Sequence, residues 1–145
     1  MSGIKVSKKA MAQFEEMKKK RTHKFLILAV VKEKVEVTDA KSGDAKLKPS
    51  FADFTKAVID ADSKKPQPKW GVVDYEAKKP DGSILSKLVL VNWCPDNCKI
   101  RQKMLQGSTN GTVKSKLGID KQVQAQTPAD LEENVFRELL GLPKL

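Results

Sequence analysis

The sequence contains few of the side chains that carry out most enzyme chemistry. Among 145 residues there are two cysteines and one histidine, and aromatic residues make up 6%. The thiolates of Cys94 and Cys98 would need two further zinc ligands, and His23 is the only histidine. A glycine-rich phosphate loop, a Gly-x-Ser-x-Gly motif and clustered carboxylates are also missing. We therefore expect no enzyme activity, no metal and no cofactor, and we interpret the two cysteines as structural or incidental thiols.

Long apolar runs are missing as well. None approaches the roughly 20 residues that cross a bilayer, and residues 1–9 lack the apolar core of a secretory signal. Two cysteines also make no disulfide framework, so we expect a reducing, cytoplasmic compartment. A length of 145 residues fits a single domain, 1–145, with room for a substantial core.

Positive charge, by contrast, is abundant. The formal net charge is +10, from 28 lysines and arginines against 18 acidic residues. Such an excess predicts an acidic partner, and charge alone leaves open an acidic protein, a nucleic acid or an anionic membrane. The aromatic platforms and glycine-basic motifs of nucleic-acid binders are not evident, so we expect no specific nucleic-acid partner.

Hydrophobic periodicity predicts a chain of interspersed helices and strands, which places the fold only in the α+β class. The predicted helices are 7–20, one that follows a Ser50 cap, 97–117 capped by Asp96 or Asn97, and one that begins at Thr127-Pro128. The predicted strands are 24–31, 32–38, 70–76, 84–93 and 122–126. Gly107, Asn110 and Gly111 are expected to weaken or bend the long helix.

The most informative stretch is 87–104. An apolar run ends at Trp93, Pro95-Asp96 breaks it, and a basic amphipathic segment with Arg101 and Lys103 follows. Cations in the first turn of a helix oppose its dipole, so they need another reason to be there. We expect that reason to be an acidic partner that docks on this helix.

This stretch resembles the actin-depolymerising factor/cofilin family, that is, the ADF-homology domain. Members carry a lysine, an apolar strand, a tryptophan, a small residue, Pro-Asp and then a helix with Arg-x-Lys-Met. The matching residues here are Lys87, 88–91, Trp93, Cys94, Pro95-Asp96 and Arg101-Gln102-Lys103-Met104. The resemblance covers nearly the whole chain. It implies a mixed five-stranded sheet between two helical layers.

The resemblance also implies a function and assigns residues to it. A monomeric protein would bind actin monomers, preferring the ADP form, and actin filaments, and would promote filament depolymerisation and turnover. Monomer contacts would come from Ser2, Gly3, Ile4, Lys5, Val6, Ile100, Arg101, Lys103, Met104 and Lys114. Filament contacts would come from Lys87, Arg137 and Glu138, and phosphoinositide contacts from Lys103, Lys114 and Lys116. Phosphorylation of Ser2, which adds about −1.5 to −2 charge, would inactivate the protein.

Three departures from the family pattern bear on filament activity. Leu85 stands at a basic position, Asn110-Gly111 replaces Lys-Asp, and Arg137-Glu138 reverses an acidic–basic pair. We therefore expect weak severing. The alternatives are a monomer-sequestering variant with little filament activity, or a basic module that binds nucleic acid or phosphoinositides.

Two basic features have more than one interpretation. Residues 18–21, Lys-Lys-Lys-Arg, are similar to a nuclear-entry signal. They equally suit the end of a helix, where cations favour the dipole. We expect a location on the cytoplasmic actin cytoskeleton, with nuclear entry as an additional possibility. His23 is expected to be an exposed linker residue, with pH sensing as the alternative.

Overall fold

The computed structural model describes residues 4–20, 23–42, 51–59 and 67–145, and these residues form eleven elements of secondary structure. The strands are β1 (Lys5–Val6), β2 (His23–Val31), β3 (Lys34–Ser42), β4 (Lys69–Lys78), β5 (Ile84–Trp93) and β6 (Gln122–Ala125). The helices are α1 (Lys8–Lys20), α2 (Phe51–Ile59), α3 (Ile100–Leu117) and α4 (Glu133–Leu139), and a 3₁₀ turn covers Pro128–Leu131.

The strands form one mixed sheet in the order β1-β3-β2-β4-β5-β6. The two outer pairs, β1 with β3 and β5 with β6, are parallel, and the three inner pairs are antiparallel. The mixed α+β architecture is as predicted, but the sheet has six strands among the described residues rather than five. The added strand is β1, which pairs Lys5 with Lys34 and Val6 with Val35. Two residues are too few to show a period of two, so the sequence pattern gave no sign of it.

Alternation along the strands divides the core between the two faces of the sheet. In β2, Leu26 and Leu28 face the side covered by α1 and α3, whereas Phe25 and Ile27 face the side covered by α2 and α4. Neighbouring side chains on a strand point to opposite faces, so a continuous apolar run serves both layers. We call the face covered by α1 and α3 the α3 side, and the face covered by α2 and α4 the α4 side.

Close packing on the α4 side requires a glycine. A Cβ on Gly71 of β4 would lie 2.7 Å from Cε1 of Phe54 in α2. Real side chains do not approach so closely, and a glycine therefore lets this helix rest on the strand.

The predicted bounds of α1 and β2 hold to within one residue. Ser7 caps α1, since its Oγ accepts the N–H of Ala10 at 3.0 Å. The turn between β2 and β3 places Lys32 and Glu33 at φ values of 49° and 65°, the left-handed pair of a tight hairpin. The strand predicted over 32–38 therefore begins later, at Lys34, and it continues to Ser42, beyond its predicted end. The predicted Ser50 cap lies outside the described residues.

The start of α3 was predicted wrongly. The N–H of Cys98 donates to the carbonyl of Pro95 at 3.2 Å and closes a turn. Asp96 and Asn97 belong to that turn, and the helix begins only at Ile100, with Lys99 as its N-cap residue. It then runs without interruption through Gly107 and Gly111 to Leu117, where Gly118 ends it in the left-handed conformation.

The last predicted helix is divided in two. The Asp130 carboxylate accepts the N–H groups of Gln126 and Thr127 at 2.9 and 3.1 Å, which fixes the 3₁₀ turn. Glu132 is extended and separates this turn from α4. Within the described ranges, no helix has both the length and the apolar character needed to cross a bilayer.

Candidate functional site

Two large apolar side chains are exposed at the beginning of α3. Ile100 is 75% exposed and Met104 is 69% exposed. Residues four apart lie on one face of a helix, one turn above the other. Exposed apolar groups with charged neighbours are typical of a protein-binding surface. We call Ile100, Arg101, Lys103 and Met104 the α3 face.

The cations of the α3 face are not neutralised within the protein. Arg101 is exposed and Lys103 is half-buried, and the first turn of α3 contains no acidic residue. Neither forms an ion pair with another residue in the part of the chain that the structure describes. Each cation near a helix N-terminus costs about 0.3–1 kcal/mol at an exposed site. This arrangement reduces stability slightly and leaves the charges free for an acidic partner.

The turn before the α3 face holds both cysteines. The N–H of Cys94 donates to the carbonyl of Ala125 at 2.9 Å, and Cys98 is buried. Burial raises the pKa of both thiols, so they remain protonated at neutral pH. Across residues 4–20, 23–42, 51–59 and 67–145, no three histidine, cysteine or acidic side chains are grouped in a way that could hold a metal ion.

The structure brings the described part of the N-terminal tail into contact with α3. The strand β1 packs against that helix. Ile4 is buried in the same apolar cluster as Val113 and Leu117, whereas Lys5 is exposed and Val6 half-buried. Ser2 and Gly3, predicted for monomer binding, lie outside the described residues.

The three lysines predicted for phosphoinositide binding are spread along α3. Lys103 and Lys114 are eleven residues apart, which puts them on one face but about 16 Å apart along the axis. Both are half-buried. Lys116 is exposed and points away from that face. The three therefore do not converge on one point.

The residues predicted for filament binding lie on the opposite side of the sheet. Lys87 on β5 pairs with Tyr75 on β4. It lies on the same face of its strand as Val89 and Val91, which pack on the α4 side. Glu138 on α4 is exposed. Side chains directly opposite in a sheet share a face, so Lys87 points towards the same layer as Tyr75.

Arg137 is placed differently from its neighbour Glu138. Only 8% of it is exposed, and its Nε donates to the carbonyl of Pro143 at 2.6 Å. Its Nη1 donates to the hydroxyl of Tyr75 at 3.3 Å, and that hydroxyl donates to Glu133 at 2.5 Å. Burial raises the pKa of Tyr75, and the bond to Glu133 raises it further. Arg137 thus ties the end of the chain to the sheet. No local signal predicts this role, since Tyr75 is far away in the sequence.

Comparison with known proteins places this geometry in a family. A family model described as cofilin/tropomyosin-type actin-binding protein matches residues 3–141. The chain belongs to this family. Among its relatives, actin-depolymerizing factor 2 of Petunia hybrida is 30% identical over 141 residues, covering 97% of this chain and 94% of the relative. Actophorin of Acanthamoeba castellanii is 30% identical over 139 residues, covering 95% of each.

Solved structures of other proteins share the fold. Actin depolymerization factor 2 of Plasmodium berghei matches with a TM-score of 0.78 at 21% identity, over 97% of this chain and 99% of that one. Human coactosin-like protein matches with a TM-score of 0.71 at 15% identity, over 94% and 88%. The predicted family and fold class are therefore confirmed. The assignment of individual residues to actin contacts stays a prediction.

Proposed function

We propose that this cofilin-family protein binds actin monomers through the α3 face and promotes filament depolymerisation. The observation that carries the proposal is the exposed pair Ile100 and Met104 between cations that have no acidic partner among the described residues. An exposed apolar pair gains free energy when a partner covers it. Arg101 and Lys103 can form charge-assisted hydrogen bonds to carboxylates of that partner.

Binding free energy is the only driving force that this mechanism needs. A protein that binds one state of its partner more tightly shifts the partner towards that state. Preference for ADP-actin over other nucleotide states would therefore be enough to speed filament turnover. No reaction and no cofactor is involved in the proposed mechanism, and the protein would act as a monomer in the cytoplasm.

Filament binding is proposed to need a second surface, formed by Lys87 and Glu138. These residues lie on the α4 side of the sheet, whereas the α3 face lies on the other. One molecule could then contact two actin subunits at once. Arg137 is engaged within the chain and Leu85 is uncharged, which supports weak filament binding and weak severing. A variant that mainly sequesters monomers is the second candidate, and the same two residues favour it.

Two kinds of regulation are proposed for the monomer surface. A phosphate on Ser2 would add negative charge where the tail meets an acidic actin surface, and would weaken binding. Phosphoinositide headgroups would compete with actin for Lys103 and Lys114. Because these lysines are about 16 Å apart along α3, more than one headgroup would be needed to cover both. Lys116 lies on another face of α3, so it would contact a different headgroup from those bound by Lys103 and Lys114.

The chain offers a matched pair of residues for testing the monomer site. Ile100 on α3 and Ile84 at the start of β5 are the same residue type and are both 75% exposed. We expect Ile100→Ser to weaken binding to fluorescently labelled actin monomers about tenfold, and Ile84→Ser to leave the affinity unchanged. Equal effects of the two substitutions would contradict a site on α3.

The salt dependence of binding separates this proposal from a generic polyanion binder. A basic nucleic-acid module would bind RNA with an affinity that falls steeply as salt rises. We expect a shallow dependence for actin, because Ile100 and Met104 supply much of the contact. Binding to RNA in the absence of binding to actin would select the alternative.

A further inference from the structure

The two halves of α3 are held on the sheet in different ways. Val113 and Leu117, in the C-terminal half, are 0% and 2% exposed and pack in the apolar core. Nearer the N-terminus the buried residues are polar, Gln106 at 3% and Thr109 at 0%. Leu105, which is half-buried, also packs against the core there. Residues 100–110, which include the α3 face, are thus attached largely by polar contacts.

These polar contacts form a continuous chain of side-chain amides. The amide of Gln106 donates to the carbonyl of Lys69 at 3.1 Å and to Asn92 at 2.7 Å. Asn92 donates to Gln124 at 2.9 Å, and Gln124 donates to Gln122 at 3.2 Å. We call the residues Trp70, Asn92, Gln106, Asn110, Gln122 and Gln124 the amide chain.

The amide chain returns to α3 at Asn110. The Oδ1 atom of Asn110 accepts two donors, the amide of Gln122 at 2.8 Å and the indole N–H of Trp70 at 3.0 Å. The chain therefore connects α3 to three neighbouring strands, β4, β5 and β6. Gln106 and Asn110 are one helical turn apart, so two consecutive turns of α3 are fixed.

Hydrogen bonds fix orientation more strictly than apolar contacts do. They weaken steeply when the distance or angle departs from its narrow optimum, whereas apolar burial is non-directional. Met104 is exposed and Gln106 is buried two residues later, so they lie on opposite sides of the helix. Any rotation of α3 that displaces Met104 must also break the bonds of Gln106 and Asn110.

We propose that Gln106 and Asn110 are positioning residues for actin binding, which hold the first turns of α3 at the rotation that presents the α3 face. This inference rests on the proposed function, because it assumes that the α3 face contacts actin. Neither residue touches the partner. Each acts through the orientation of Ile100, Arg101 and Met104.

Asn110 permits a test by a pair of similar substitutions. Asn110→Leu keeps the approximate shape of the side chain but removes the acceptor of Trp70 and Gln122. Asn110→Asp keeps an acceptor for both donors and serves as the conservative rescue. Val58→Ala, on α2 across the sheet, removes buried apolar volume without touching the amide chain. It controls for a general loss of stability.

The affinity of all four proteins for fluorescently labelled actin monomers would be measured at a temperature where circular dichroism shows each to be folded. We expect Asn110→Leu to weaken binding about tenfold, Asn110→Asp to restore most of the affinity, and Val58→Ala to bind as the wild type does. With Trp93 replaced by phenylalanine in every protein, so that Trp70 is the sole emitter, the emission should shift in Asn110→Leu and not in Val58→Ala, since only the former removes the acceptor of the indole N–H.

The possible failures can be distinguished. Wild-type affinity in Asn110→Leu, or an equal loss in Val58→Ala, would overturn the positioning role and leave the proposed function standing. Asn110→Asp binding no better than Asn110→Leu would also overturn it. A wild-type protein that does not bind actin monomers would overturn the proposed function and the positioning role with it.

Discussion

The two sides of the sheet hold their helices by different interactions. On the α4 side, aromatic rings meet edge to face: Phe51 and Phe136 have centroids 4.9 Å apart, and Phe25 and Phe54 are 5.4 Å apart. On the α3 side, residues 100–110 of the helix are attached through the amide chain. Burial of the aromatic side chains contributes much free energy, and its hydrophobic part is non-directional, whereas amide hydrogen bonds contribute less and are directional. We infer that stability and partner binding depend on different sides of the sheet.

The largest effect should come from removing a ring on the α4 side. Phe54 is 0% exposed, and we expect Phe54→Ala to lower the free energy of unfolding by about 3–5 kcal/mol. Urea denaturation would measure the change. Actin affinity of the folded fraction should not change, because the ring lies across the sheet from the α3 face. A loss under 1 kcal/mol would show that the aromatic cluster is not the main source of stability.

Arg137 and its neighbour Glu138 give a sharper comparison within α4. Arg137→Ala removes the charged hydrogen bond to Pro143 and the one to Tyr75, so we expect a loss of about 2–3 kcal/mol. Glu138→Ala changes an exposed side chain and should stay within about 0.5 kcal/mol of the wild type. In filament co-sedimentation, Glu138→Ala should reduce the amount of protein that pellets with filaments while the free energy of unfolding stays the same. If instead Arg137→Ala reduced filament binding and left the free energy of unfolding unchanged, Arg137 would be a filament contact rather than a structural residue.

The smallest effect concerns acid stability at the 3₁₀ turn. The backbone N–H groups of Gln126 and Thr127 hold the pKa of Asp130 below its ordinary value. A lowered folded-state pKa contributes stability above that ordinary value of about 3.9, which is lost as pH falls through the lowered pKa. Asp130→Asn should therefore be slightly less stable than the wild type at pH 7, and the difference should shrink in acid. A difference that grew towards low pH would contradict this.

Local patterns predicted the features that depend on neighbours in the sequence. The bounds of β5, 84–93, were predicted as observed, because a strong turn at Pro80-Asp81-Gly82 precedes an apolar run. The start of α1 was likewise predicted to within one residue, since its Ser7 cap acts within one helical turn. The family resemblance supplied the layer arrangement, which pattern alone gives only as α+β.

Features that depend on distant residues were not predictable from local pattern. Burial of Arg137 requires Tyr75, and the attachment of α3 requires Trp70 and Asn110, which are forty positions apart. Asn110 was interpreted as a departure that weakens the helix, yet it is a junction of the amide chain. Cys98 forms a turn with Pro95, so α3 begins at Ile100 rather than at residue 97. Helix-capping preferences do not predict this later start.

Sedimentation of actin filaments with increasing amounts of this protein would test most directly whether the α3 face acts on actin. Actin in the pellet and in the supernatant would be measured together with the protein in each. We expect actin to move into the supernatant, with a smaller share of the protein in the pellet, and we expect Ile100→Ser to abolish most of that movement. Unchanged actin in both fractions at every concentration would contradict an actin-depolymerising function for the α3 face.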